Sequence, residues 1–296
     1  MKTIYDQIAE NKRKTLLISV FFILIISLLG YVLGAIYTYD GGISIMIVAM
    51  IFSSISALIT YFVSDKAVLA ISDARKVNAK ESPLVYSILE NLCIGAGLKE
   101  IPALYVINDS APNAFATGRD PSHSAIAVTT GLLNKLDKRE IEGVLAHELS
   151  HIRNYDIRLM TFVIILVGTI SIIGNIMFRR SIFRDDKNSG GMFLIFGLIF
   201  AIITPILAKL IQLAMSRNRE FLADASAALL TRDPEGLASA LEKISMDQNE
   251  LHSAEPTTAY LYIEDPIKKK KGMFGGSSIW QTHPPIQERI KRLRSM

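Results

Sequence analysis

The sequence has little cysteine, few histidines and no marked excess of charge of either sign. Cys93 is the only cysteine among 296 residues, which excludes an intrachain disulfide framework and a zinc site built from several thiolates. Lys and Arg number 32 and Asp and Glu number 28, so the net charge of +4 does not suggest the basic surface of a nucleic-acid-binding protein. Charged residues make up 20% of the chain, below the roughly 25% of an average soluble protein.

Apolar residues, in contrast, make up half of the chain, and they are concentrated in four uncharged blocks. The blocks lie at about 16–36, 43–63, 159–178 and 192–208. Each approaches the ~20 residues that cross the hydrocarbon core of a bilayer. The sequence therefore predicts an integral membrane protein, and it excludes an ordinary cytosolic globular protein and an intrinsically disordered one.

The first two blocks predict a hairpin with both ends in the cytoplasm. Residues 37–42, which join them, contain no Lys or Arg. Basic residues flank the pair on both outer sides, at Lys12, Arg13, Lys14, Lys66, Arg75 and Lys76. The positive-inside rule then places the short turn outside. The first block is too long for a signal peptide and no cleavage site follows it, so we expect an uncleaved anchor.

The third and fourth blocks leave two arrangements open. Four basic residues lie between them, which argues against export of this loop: Arg179, Arg180, Arg184 and Lys187. The pair either crosses the membrane as a hairpin against the rule or does not cross fully. The chain returns to the side it left in both cases, so the segments before and after the pair share a compartment, which we expect to be the cytoplasm.

The segments outside the blocks predict a small mixed domain. Helical patterns occur at 83–92, 212–230, 234–244 and 285–294, and strand patterns at 103–107, 113–118 and 124–130, the last two as a hairpin. Another helix should begin at Asp137, which forms a capping box with Glu140.

The strongest chemical pattern is His147-Glu148-Leu149-Ser150-His151, which fits H-E-x-x-H on the helix expected from Asp137. Residues i and i+4 lie on one face of a helix, so both imidazole rings can reach one ion. Neutral imidazole suits Zn²⁺, and a catalytic zinc site keeps one position open for water. Glu148 lies between the ligands and can hold that water. The pattern predicts one catalytic zinc ion per chain.

A third protein ligand is expected from a second helix, and in metalloproteases it is often a glutamate. Glu220 is the candidate. His151 lies shortly before the third apolar block, and Glu220 lies shortly after the fourth. The two helices should emerge at the same membrane surface, which brings their polar faces together. Asp224 lies one turn after Glu220 and could orient a ligand histidine. His123 and His252 lack ligand spacing and are expected at the surface.

These segments resemble the HtpX family of membrane-bound zinc metalloproteases. The resemblance depends on the order of the four apolar blocks and on the segments 147–151, 216–224, 113–118, 125–132 and 282–285. It implies His147, His151 and Glu220 as zinc ligands and Glu148 as the catalytic carboxylate. It also implies a protease in the bacterial plasma membrane, which hydrolyses misfolded or damaged membrane proteins, often under stress.

The expected fold is α+β and mostly helical, a zincin-like domain with a small sheet joined to two helix pairs. We expect a membrane anchor hairpin at 1–63, the first part of the protease domain at 64–158, the second apolar pair at 159–208 and the second part of the protease domain at 209–296. The catalytic site should face the cytoplasm. The expected partners are unfolded or membrane proteins and the lipid bilayer, without nucleic acid.

The expected reaction is hydrolysis of a peptide bond, in which Glu148 takes a proton from water and delivers it to the leaving amine. The resemblance places His283 near the site, as a donor to the oxyanion. The substrate should add a strand to an exposed sheet edge, expected at Ala125 and Ala127, with Asn113 bonding its backbone. A turn role is the alternative for both Asn113 and His283.

Two other functions stay open. A transporter or membrane scaffold with a structural metal site would require ionisable residues inside the blocks or a fourth protein ligand, and the sequence favours neither. Within the enzyme class, a prenyl-protein protease that cleaves near a lipidated C-terminus is the alternative. The lysine-rich segment 268–278 could contact anionic lipid, although a solvated loop is the simpler interpretation.

Overall fold

The computed structural model describes residues 4–37, 41–182, 206, 216–253, 258, 261–263 and 284–296. These described residues form nine helices and four strands. The helices are α1 (Ile4–Tyr37), α2 (Gly41–Ile71), α3 (Pro83–Ala96), α4 (Thr130–Lys135), α5 (Lys138–Arg153), α6 (Asp156–Ile182), α7 (Arg217–Thr231), α8 (Pro234–Met246) and α9 (Ile286–Leu293). The strands are β1 (Ala74–Lys76), β2 (Ala103–Ile107), β3 (Ala114–Asp120) and β4 (His123–Thr129). The mostly helical α+β class is as predicted.

The first two apolar blocks lie in α1 and α2, which pack against each other along their length. In the part of the chain that the structure describes, these two helices are long and apolar enough to cross a membrane by length and composition. Large apolar side chains are exposed along both, among them Leu16, Leu24, Leu28, Val48 and Phe52. Such a surface is unfavourable in water and favourable in hydrocarbon, so the helix pair suits a bilayer.

The third apolar block lies in α6, and the first half of this helix belongs to the protein core. Leu159, Phe162 and Leu166 are almost fully buried. The fourth block, apart from Ile206, lies outside the described residues, as does the segment 268–278. A second membrane helix pair therefore stays a prediction.

The four strands form one mixed sheet with the order β1-β2-β4-β3. The predicted hairpin is present, with β3 antiparallel to β4 and Phe115 opposite Ala127. On its other side β4 is parallel to β2, with Ala125 opposite Ala103. The prediction that Ala125 and Ala127 lie on an exposed edge is therefore wrong, because β4 is paired on both sides and β3 is the outer strand. Alternation along a strand predicts its two faces, but it does not predict the neighbours of that strand.

The two faces of the sheet join two apolar layers. Ala125 and Ala127 pack on the side of α1, α2 and α6. Ile126 and Val128 pack on the opposite side, with α3, α5, α8 and α9. The sheet thus links the membrane-suited helices to the helices that carry the polar motifs.

The start of α5 is as the sequence predicts, whereas α7 begins later than predicted. At α5, the Asp137 side chain accepts a hydrogen bond from the Glu140 N–H and the Glu140 side chain accepts one from the Asp137 N–H, which is the predicted capping box. The helix predicted from residue 212 does not continue through Ser216, which has an extended backbone (φ −110°, ψ 124°). Serine is favoured at this position before a helix, and α7 begins at Arg217.

Candidate metal centre and active site

Two helices bring three metal-ligating side chains together. His147 and His151 come from α5, Glu220 comes from α7, and one ligand atom of each lies within 4.8 Å of the others. The two histidine Nε2 atoms are 3.2 Å apart. The carboxylate oxygens of Glu220 lie 3.7 Å from Nε2 of His147 and 3.5 Å from Nε2 of His151. All three residues are buried. The structure thus brings the three predicted ligands to one point.

The packing of α5 fixes the direction of the two histidines. Val144, Leu145 and Leu149 are almost completely buried in the core that α5 shares with α3 and α8. Because His147 and His151 are four residues apart, they lie on one face of the helix. That face meets α7, which supplies the carboxylate.

Glu148 lines the same small cavity as the three converging side chains, and Ala116, Met160 and Ile263 also line it. Burial raises the pKa of the Glu148 carboxyl group to about 7, although a hydrogen bond from the Ala116 backbone acts in the opposite direction. A carboxyl group with this pKa can both accept and release a proton near neutral pH.

A buried ion pair contacts His147 at Nδ1, the ring nitrogen opposite the one that faces Glu220. Its Nδ1 atom lies 3.0 Å from Oδ1 of Asp224, as the sequence predicted for this aspartate. Arg289 donates two hydrogen bonds to the same carboxylate, at 2.9 Å from Nε and 2.7 Å from Nη2. Burial, together with the nearby Arg289 cation, lowers the pKa of His147 to about 4, although Asp224 acts in the opposite direction, so the ring is neutral and keeps a lone pair. Burial alone would raise the pKa of Asp224, but Arg289 and His147 hold it at about 2.

The sequence interpretation missed Arg289. This residue shares the buried face of α9 with Ile290 and Leu293, and only 1% of its surface is exposed. It follows Ile286 by three residues, so it falls on the apolar stripe of an otherwise basic helix. An arginine on such a stripe indicates a buried partner, because charged residues are rarely buried unless they are paired.

His151 has an outer carboxylate of its own, which the sequence interpretation also missed. Its Nδ1–H donates to Oδ2 of Asp156 at 3.1 Å. Burial alone would lower the pKa of His151, but Asp156 and the charge of Glu220 raise it to about 9. A left-handed residue, Tyr155 (φ 59°), turns the chain between α5 and α6 and brings the two side chains together. Helical spacing cannot predict this contact, because it depends on that turn.

The arrangement fits a divalent cation such as zinc. Two imidazole nitrogens and one carboxylate oxygen converge, which is the donor set of many catalytic zinc sites. Each histidine is also hydrogen-bonded at Nδ1 to a carboxylate, and this fixes Nε2 as the ligand atom.

The outer edge of β3 adjoins this cluster. The Ile263 N–H donates to the Ala114 carbonyl at 2.9 Å, so Ala114 points away from β4. Alternate residues of an antiparallel strand face the same edge, so Ala116 also points outward. Its backbone bonds the Glu148 carboxylate, and β3 therefore runs directly beside the cavity.

Among the described residues, Asn113 does not line this cavity. Asn113 is buried before β3, where its side-chain oxygen accepts from the Ala114 N–H at 3.0 Å and its own N–H donates to Oγ1 of Thr129 at 2.9 Å. His283 lies outside the described residues. His123 and His252 are exposed, as predicted.

Comparison with known proteins gives one family and several close relatives. The model of peptidase family M48 matches residues 79–296. A protease HtpX homolog of Thermoanaerobacter pseudethanolicus is 42% identical over 303 residues, covering 100% of this chain and 98% of that protein. A protease HtpX homolog of Lactobacillus helveticus is 43% identical over 304 residues, covering 99% and 100%. The crystal structure of S. mikatae Ste24p has a TM-score of 0.45 and 21% identity, covering 80% of this chain and 57% of that one.

Proposed function

This chain belongs to peptidase family M48, and we propose that it is a membrane-bound zinc endopeptidase with a metal site made by His147, His151 and Glu220. Family membership makes it a metalloprotease, and its relatives of nearly equal length are named HtpX proteases. The observation that most directly supports the ligand assignment is the convergence of two imidazole nitrogens and a carboxylate oxygen in a buried site.

One zinc ion per chain fits this donor set. When bound, zinc supplies a Lewis acid that makes water more acidic and polarises the scissile carbonyl group. The protein holds the ligand atoms in place through Asp224 and Asp156, which fix the ring orientations of His147 and His151.

Glu148 is the residue that moves protons. It is not among the three converging ligands, yet its carboxylate lines the same cavity. From there it accepts the proton of the attacking water and later delivers it to the leaving amine, so the amine departs in its neutral form. The burial of Glu148 keeps other water away from this transfer.

The substrate binds in an extended conformation beside β3. Ala116 offers its outward backbone edge next to Glu148, so a peptide strand added there would lie at the cavity. Ile263 already bonds the edge of β3 at Ala114. The substrate therefore pairs with β3 from Ala116 onward.

The position of the site relative to the membrane-suited helices favours membrane proteins as substrates. Phe115 and Ala127 pack in the layer that contains α1, α2 and α6, so the sheet beside the cavity is continuous with the helices suited to a bilayer. We propose misfolded or damaged membrane proteins as the substrate class and a multi-pass protein of the bacterial plasma membrane. Basic residues on both outer sides of the α1–α2 pair support a site that faces the cytoplasm.

The test is cleavage by the full-length protein in detergent, loaded with zinc, against three reporters. These are an unfolded soluble protein, a destabilised membrane protein, and a prenylated peptide. Cleavage of the first two, lost with a chelator and restored by zinc, is the expected result. Cleavage of the prenylated peptide alone would support the prenyl-protein alternative, and no cleavage of any reporter by zinc-loaded protein would contradict the endopeptidase assignment.

A further inference from the structure

Asn11, near the start of the first membrane-suited helix, is buried among the elements of the metal centre. Its surface is 3% exposed, whereas the next two residues of α1, Lys12 and Arg13, are exposed. The side-chain amide of Asn11 both donates and accepts hydrogen bonds. Nδ2 donates to the Asn154 carbonyl at 3.0 Å and to Oδ1 of Asp156 at 2.8 Å, while Oδ1 accepts from Nη1 of Arg219 at 2.9 Å.

These partners stand next to two of the three proposed ligands. Asp156 uses its other oxygen, Oδ2, to bind Nδ1 of His151. Arg219 directly precedes Glu220 in α7, and its Nη1 also lies 3.4 Å from Oδ1 of Asp156. Asn11 therefore joins α1 to the first residue of α6 and to the first turn of α7, beside the ligands that these elements support.

We propose that Asn11 is a positioning residue for the metal centre. The first membrane-suited helix, α1, would then help to orient the metal ligands as well as anchor the protein. The proposal rests on the proposed function, because it takes His151 and Glu220 as metal ligands. Asn11 does not contact the ligand atoms. It acts through Asp156 and Arg219.

The chemistry of the contacts explains why an amide is required. The buried Asp156 carboxylate, 2% exposed, needs donors at both oxygens. Oδ2 receives one from His151, and Oδ1 receives a short one from Asn11 at 2.8 Å and a longer one from Arg219 at 3.4 Å. Without the amide, the described partner that Oδ1 keeps is Arg219, at 3.4 Å, and this longer contact holds the carboxylate towards His151 less firmly. An aspartate at position 11 has the same size but no donor, and it would face the Asp156 carboxylate. An amide both donates to Asp156 and accepts from Arg219, and neither alanine nor aspartate can do both.

The matched control is Thr15, one turn later on the same helix. It is also buried, but its hydroxyl group donates to the Asn11 carbonyl of its own helix at 2.9 Å. Thr15→Ala therefore removes a buried polar group from α1 without touching Asp156 or Arg219.

The experiment measures zinc affinity by chelator competition in the full-length, detergent-purified protein. It also measures the visible spectrum of the Co²⁺-substituted protein, which reports ligand geometry. Asn11→Ala and Asn11→Asp are expected to weaken zinc binding about tenfold and to change the Co²⁺ spectrum, since loss of outer partners of metal ligands has effects of this size. Thr15→Ala is expected to match the wild type in both. Should Asn11→Ala not be recovered folded, Asn11→Ser keeps a smaller donor and is expected to give an intermediate loss of affinity.

The outcomes separate this proposal from the one on which it rests. Asn11 variants that melt at a lower temperature but bind zinc with wild-type affinity and spectrum would overturn the positioning role and leave only packing. A wild-type protein that binds no zinc at His147, His151 and Glu220 would overturn the proposed function, and the inference with it. Normal zinc binding by the wild type with no change in the Asn11 variants would overturn this inference alone.

Discussion

Arg289 and Asp224 form a buried ion pair with two hydrogen bonds, at 2.9 and 2.7 Å, and both residues contact His147. They come from the last helix and from α7, whereas His147 comes from α5. The pair therefore links three helices at one imidazole ring. This contact joins α9 to the proposed metal site.

Arg289→Leu should destabilise the protein by about 3–5 kcal/mol, because it leaves the Asp224 carboxylate buried without its cation. Thermal unfolding of the chelator-treated protein in detergent measures the effect apart from metal binding. Lys291→Leu, on the exposed side of the same helix, should change stability by no more than about 0.5 kcal/mol. Adding Asp224→Leu to Arg289→Leu should recover part of the loss, and a single Arg289 variant as stable as the wild type would contradict this account.

Asp156→Asn should weaken zinc binding by about 10–100-fold, because it removes the charge that orients His151 through Nδ1. Chelator competition measures the affinity. Asp120→Asn is the control, since it changes an Asp–His contact of 2.8 Å at the exposed His123. Equal zinc affinities for the two variants would show that Asp156 does not act on the site.

Gly143→Ala should destabilise the packing of α8 on α5 by about 1–3 kcal/mol. An added Cβ would lie 2.7 Å from the Leu237 nitrogen, and this backbone can move only if α8 shifts. Gly95→Ala is the matched change, because there the new Cβ meets only the end of the Leu230 side chain, at 3.1 Å. In thermal unfolding, the melting temperature of Gly143→Ala should lie well below that of Gly95→Ala. The reverse order would be inconsistent with the close approach of α5 and α8.

Zinc should raise the melting temperature of the wild type, because a ligand that binds only the folded state stabilises it. At zinc concentrations about 100 times the dissociation constant, the gain is about 2.7 kcal/mol. Glu220→Gln should lose most of this gain, since Glu220 is a proposed ligand. Glu148→Gln should keep it. Equal zinc-dependent shifts in wild type and Glu220→Gln would remove Glu220 from the ligand set.

The sequence predicts best those features that depend on local spacing. The capping box of Asp137 and Glu140 and the alternating faces of β4 are confirmed, since each depends on residues a few positions apart. The meeting of His147, His151 and Glu220 is also as predicted, because the helices were expected to leave one membrane surface. Their roles in binding and catalysis stay predictions that the experiments above test.

Features that depend on tertiary contacts were missed or placed wrongly. The position of β4 inside the sheet depends on its parallel pairing with β2, which no pattern within either strand indicates. The contact of Asp156 with His151 depends on a turn at Tyr155. Asn11 lies 145 residues from Asp156 in sequence, in a segment whose composition suggests only a charged membrane flank.

In the proposed mechanism, the buried carboxylate of Glu148 performs the proton transfer of a zinc peptidase without binding the metal. The most direct test measures bound zinc and reporter cleavage together in Glu148→Gln, with Glu142→Gln on the same helix as control. We expect one zinc ion per chain in both variants, normal cleavage by Glu142→Gln, and at least about 100-fold slower cleavage by Glu148→Gln. Wild-type cleavage by zinc-loaded Glu148→Gln would contradict it.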